Sequence, residues 1–140
     1  MTGQPTSDDL FYSGSDLTSD RAVALTEDAL ANADDGELFL EYRQSENLVF
    51  DDGQLRTASF DVHHGFGLRA ISGEASAYAH SADISEAGIK RAAETVRAVQ
   101  QGSGDVSAGP ARTNTSLYAP DNPVEQMSFE DKVALLREVD

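Results

Sequence analysis

The sequence predicts an α+β domain: an antiparallel meander of about five strands with helices packed on one face. Three observations point there. Apolar residues recur with a helical period before residue 32 and again between residues 83 and 102, and between those stretches they alternate with a period of two. Two tight-turn sequences, Asp51-Asp52-Gly53-Gln54 and Ser72-Gly73-Glu74, punctuate the alternating region. At 140 residues and 39% apolar content the chain can bury one modest core, which, without Trp, must rest on Leu, Val, Ile and Ala.

Taken in order, residues 1–17 are rich in Gly, Ser, Thr, Asp and Pro, with Phe11 and Tyr12 the only bulky anchors, and read as a flexible acidic tail. A domain is expected over residues 18–102. Its first helix is capped by Thr18 or Ser19, carries Asp20 in its first turn, and turns Ala22, Leu25, Ala29 and Leu30 to one side. It ends between Asn32 and Gly36.

Five short strands should follow. Leu38, Leu40 and Tyr42 alternate with Phe39, Glu41 and Arg43 in the first, and Leu48-Val49-Phe50 makes the second. Asp-Gly is hairpin chemistry, because Gly53 takes positive φ without steric cost. Residues 55–63 form the third strand, 65–71 the fourth and 75–80 the fifth. A second helix starts at Asp83, with Glu86 three residues on as a capping box, or at Ser85; Ile89, Ala92, Ala93, Val96 and Val99 are its stripe and Gly102 its end.

Residues 103–127 read as a loop or linker, with Leu117-Tyr118-Ala119-Pro120 a local anchor. Residues 128–140 begin a last helix, capped by Ser128, with Val133 and Leu136 on its stripe. That stripe meets the chain end in mid-course, so the chain is expected to continue into a further region.

Composition excludes several functions. Twenty-five carboxylates against ten basic residues give a net charge of −15, a field that repels phosphate backbones, so no nucleic-acid partner is expected. Eight of the ten cations are Arg, with only Lys90 and Lys132 as lysines. An Asp-rich, Lys-poor surface suits concentrated salt, where the Debye length falls to about 3 Å at 1 M; a halophilic source is the expectation, and equal melting temperatures in dilute buffer and molar KCl would contradict it. No apolar run reaches membrane-spanning length and no leader pattern opens the chain, so no membrane partner and a cytoplasmic location are expected.

Nor does the chain show a catalytic constellation. With no cysteine, thiolate metal sites and a Cys nucleophile are absent. His63 and His64 are adjacent in a strand and point to opposite faces, and His80 belongs to another strand, so a metal site is not expected from them. Gly65-Phe66-Gly67 lacks the third Gly and the following helix of a dinucleotide fingerprint. Glycines in a strand instead mark a bulge or a close backbone approach; the functional version is an extended peptide adding as a strand. The scattered carboxylates carry no acid–base signal.

The run Gly65-Phe66-Gly67-Leu68-Arg69-Ala70-Ile71-Ser72-Gly73-Glu74 resembles the Gly-x-Gly-x-Arg strand and Ser-Gly-Glu turn of the TldD/PmbA metalloprotease family, known under an older label as modulator of DNA gyrase. Residues 75–85 continue the likeness, residues 37–61 resemble the family's first strands, and Leu117-Tyr118 and Met127 to Lys132 its passage to the next helix. The likeness covers roughly residues 20 to 140 and is nearer to TldD than to PmbA (TldE). It implies a non-catalytic N-terminal domain of a cytosolic zinc peptidase that degrades unstructured peptides together with a PmbA/TldE-like subunit or by self-association. The zinc would be held by a His-Glu-x-x-x-His helix and a later Cys beyond this chain. Neither motif occurs in these 140 residues, so no catalytic or metal residue and no cofactor is assigned here, and no activity is expected of the chain alone. The matching residues are scaffold or interface candidates: Gly65, Gly67, Arg69, Ser72, Gly73 and Glu74. The other reading is a free-standing acidic interaction module that binds an extended peptide by strand addition.

Overall fold

A computed structural model describes residues 5–98 and 121–140. The elements are α1 (Ser7–Tyr12), α2 (Ser19–Ala29), β1 (Asp35–Asp51), β2 (Gln54–Ser72), β3 (Ala75–Ser81), α3 (Glu86–Arg97) and α4 (Phe129–Val139). The strands form one sheet in the order β1-β2-β3. The antiparallel α+β class is therefore present, with three strands in place of the expected five.

The reason is physical. The first two expected strands are one strand of 17 residues and the next two are one of 19. Gln44-Ser45-Glu46-Asn47 looks like a polar break, yet burial alternates straight through it, with Gln44 and Glu46 on the more covered side. Both find polar partners: Asn122 Nδ2 donates to Gln44 Oε1 at 2.6 Å and the Lys132 ammonium bonds the Glu46 carboxylate. Polar residues on the covered side need not end a strand when they are satisfied there.

The chain forms two compact units. The larger takes in described residues 5–42 and 64–98, and it holds every buried apolar residue among those described. Leu17, Ala22, Leu25, Ala29 and Leu30 meet Phe66, Leu68 and Ala70 of β2 and Ile84, Ile89, Ala92, Ala93 and Val96 around α3. The two helical stripes expected from the sequence are these buried faces.

Each helix start has a local cause. Thr18 accepts from Arg21 N at 3.2 Å, and Ser85, rather than Asp83, caps α3 by accepting from Gly88 N at 3.0 Å. The stretch read as a tail departs from that expectation: Thr6 and Asp9 form a reciprocal capping box at the start of α1, and Leu17 is fully buried. Ser15 ties this segment down by donating to Ile84 O at 2.7 Å. Val99, Gly102 and Leu117 to Pro120 lie outside the described residues.

Ion pairs join α2 and α3 at both ends, so the two helices run the same way. Arg21 grips Glu86 with both nitrogens, at 2.9 and 2.6 Å, and Arg97 reaches Asp28 Oδ2 at 2.6 Å. The Arg21 hydrogen bonds, joined by Lys90 at 2.6 Å, hold the Glu86 carboxyl at about 2. A depressed carboxyl pKa stabilises the fold fully above the unfolded value, near 4.5, and the contribution is lost as pH falls through about 2. The melting temperature of wild type should therefore exceed that of Glu86→Gln at pH 6, and the gap should close toward pH 2. A gap that widens on acidification would contradict this linkage.

The smaller unit comprises described residues 43–63 and 121–140. Its hairpin loop, Asp52-Gly53, has positive φ at both residues, 50° and 68°, as a type I′ turn requires. Ser128 caps α4 by accepting from Asp131 N at 3.1 Å. Lys132 also donates to Val124 O at 2.5 Å, and the Arg137 guanidinium lies 5.8 Å from the centre of the Phe50 ring.

Candidate functional site

The six residues singled out by sequence lie along one strand and its turn in the larger unit. β2 pairs with β3 in a register that sets Gly67 opposite His80, Arg69 opposite Tyr78 and Ser72 opposite Ala75. Directly opposite residues share a face, so Gly67, Arg69, Tyr78 and His80 line the face turned away from buried Leu68 and Ala70.

Each glycine answers to a specific neighbour. A Cβ at Gly65 would sit 2.8 Å from Ser81 O, which is the close backbone approach its strand position suggests. At Gly67 the intruder is a side chain: the Tyr78 ring lies over it, leaving 2.8 Å between an added Cβ and Cε2. Gly73 opens the two-residue turn at φ 59°, and its N–H donates to Asp34 Oδ2 at 2.5 Å.

Arg69 pairs with Glu37 of β1 at 3.0 Å, and not with Glu74. Both partners are nearly half exposed, so the pair orients side chains more than it stabilises the fold. Glu74 is exposed in the turn. Ser72 Oγ is buried with no hydrogen-bond partner among the described residues. Thus the structure gathers Gly67, buried beneath Tyr78, and exposed Arg69 on one face and Ser72, Gly73 and Glu74 at its turn, while Gly65 serves the β2–β3 contact.

Two participants were not singled out in the sequence. Asp34 clamps the turn, with its backbone N–H donating to Ile71 O at 2.8 Å as its carboxylate takes the Gly73 N–H; its only local signal was an Asp-Asp-Gly sequence after a helix. Tyr78, 60% exposed, stacks beside His80 with ring centroids 5.9 Å apart, and its alternation along β3 marked it as outward-facing.

The open face presents an aromatic pair and an ion pair, with Gly67 buried beneath the Tyr78 ring. Among the described residues, no group of three or more His, Asp or Glu is placed to hold one metal ion, and no helix is long and apolar enough to cross a membrane. On the opposite side, α2 and β1 leave a groove of about 390 Å³ lined by Ala22, Val23, Leu38 and Leu40, with Glu27 and Glu37 also lining it.

Comparison with known proteins decides the family. Residues 36–99, which run from the first strand through α3, match the model of PmbA/TldA metallopeptidase domain 1. The chain carries the first domain of the PmbA/TldD family. It is 33% identical over 113 residues to a metalloprotease TldD homolog of Haemophilus influenzae, covering 78% of this chain and 23% of that protein. A metalloprotease TldD homolog of Buchnera aphidicola from Acyrthosiphon pisum is 25% identical over 138 residues, covering 97% of this chain and 29% of the relative. The chain thus spans about a quarter of the length of these TldD relatives. The Gly65–Glu74 segment falls inside the matched domain.

Proposed function

We infer that this chain is the non-catalytic N-terminal domain of a TldD-like zinc metallopeptidase, cytoplasmic, which degrades unstructured peptides with a PmbA/TldE-like partner or a second copy. Its part is to shape the substrate cavity or the subunit interface. The observation that carries the reading is the family match to the first domain, in a chain without a cysteine or a His-Glu-x-x-x-His sequence. The Gly67–Arg69 face fits such a part, because it offers the exposed Tyr78 and His80 rings and the Arg69–Glu37 ion pair. Zinc, when bound to the full-length protein, would supply Lewis acidity and an activated water; no residue of this chain is assigned to hold it.

Zinc titration separates the possibilities. The 140-residue chain should take up no zinc stoichiometrically, whereas the full-length protein should bind it through a downstream His-Glu-x-x-x-His helix. Tight stoichiometric zinc on the 140-residue chain would overturn the assignment. The second reading, an acidic module that captures an extended peptide by strand addition, is favoured by one observation: β1 is a 17-residue edge strand without proline. It gains if the reading frame stops at Asp140.

A further inference from the structure

The smaller unit has an apolar surface that its described elements do not cover. Seven of the ten exposed large hydrophobic residues among those described belong to it: Val49, Phe60, Val62, Met127, Phe129, Leu135 and Val139. No residue of α4 is buried. Among the described residues of this unit none is buried, so α4 and the two-stranded ribbon enclose no core of their own.

The helical period shows where the gap lies. At about 100° per residue, Lys132, Val133 and Leu136 cluster on one side of α4, and all three are half-buried. Lys132 is the residue that bonds Glu46 of β1, so this side faces the ribbon. Leu135 and Val139 are four residues apart and form a separate ridge on the flank, 52% and 74% exposed. The apolar arc of α4 is therefore wider than the ribbon covers, and a second layer fits along the Leu135–Val139 ridge.

We propose that this ridge is the docking surface for the polypeptide that follows the first domain in the full-length metallopeptidase. The occupant is chosen on length and charge. The Haemophilus influenzae relative shares this first domain and is about four times as long as the matched region, so a large covering body is available in the same chain. A second copy would bring another charge of −15 against the first, which disfavours self-association. The inference rests on the functional reading only in requiring a longer protein; it requires neither zinc nor activity.

Amide hydrogen exchange tests it, comparing the 140-residue chain with the full-length protein. Amides of residues 129–139 should exchange at least about tenfold more slowly in the full-length protein. Leu135→Asp should abolish that protection and leave the melting temperature of the 140-residue chain unchanged, since the side chain is exposed there. Equal exchange in both proteins would overturn the proposal, as would protection in the 140-residue chain that rises with its concentration, the mark of a second copy. Equal exchange in the two proteins with the full-length peptidase active would count against the docking surface alone; protection in a full-length protein without zinc or activity would count against the enzyme reading alone.

Discussion

Leu68→Ala is expected to destabilise the larger unit by about 2–5 kcal/mol, because Leu68 is fully buried in the C-terminal half of β2 and its neighbours cannot collapse fully into the space left behind. A domain of this size has only about 5–15 kcal/mol of stability in all, so the variant should unfold at markedly lower urea. Phe60→Ala is the matched control. Phe60 is larger but exposed on the same strand, and its loss should change stability by no more than about 0.5 kcal/mol. Urea midpoints for the two variants check the assignment of the core; equal costs would contradict it.

Gly88→Ala should also destabilise, against the usual sign. In an exposed helix interior, replacing Gly by Ala gains about 1 kcal/mol through backbone entropy and helix propensity. Gly88 is buried in the first turn of α3, and a Cβ there would collide with the backbone carbonyl oxygen of Asp83 while lying 3.3 Å from its carbonyl carbon. Backbone cannot swing aside as a flexible side chain does. To make room, residues 83–85 must move, which loosens the Ser85 cap and the 2.5 Å pair between Arg91 and Asp83. Overpacking of this kind costs about 1–3 kcal/mol. Thermal melts decide the sign, and a more stable Gly88→Ala protein would refute the close approach.

What was legible in the sequence was what short-range chemistry decides. Thr18, Ser85 and Ser128 cap their helices through contacts three residues away, and the Asp52-Gly53 turn needs only its own two residues. The buried stripe of α3 follows from helical period alone. What was not legible depended on distant partners. Gln44 and Glu46 continue β1 because Asn122 and Lys132, 78 and 86 residues later, satisfy them. Nothing near residue 45 announces that. The α1 capping box of Thr6 and Asp9 was local, but a Gly-, Ser- and Asp-rich composition hid it.

The candidate site divides the same way. A close approach at Gly65 was readable from a glycine in a strand; that the neighbour is Ser81 backbone at Gly65 and the Tyr78 ring at Gly67 was not. Arg69 has an acid, Glu74, five residues on in the sequence. The sheet supplies Glu37 instead, from a strand 32 positions upstream in number but adjacent in order. The turn clamp by Asp34 spans 39 positions and likewise exists only once the strands pair.

Peptide hydrolysis in the presence of zinc, by the 140-residue chain and by the full-length protein with and without this domain, tests the central claim most directly. The expected result is no hydrolysis by the 140-residue chain, cleavage of an unstructured peptide by the full-length protein, and loss of that cleavage when residues 1–140 are removed. Hydrolysis by the 140-residue chain itself, or undiminished cleavage by a protein lacking it, would contradict the account.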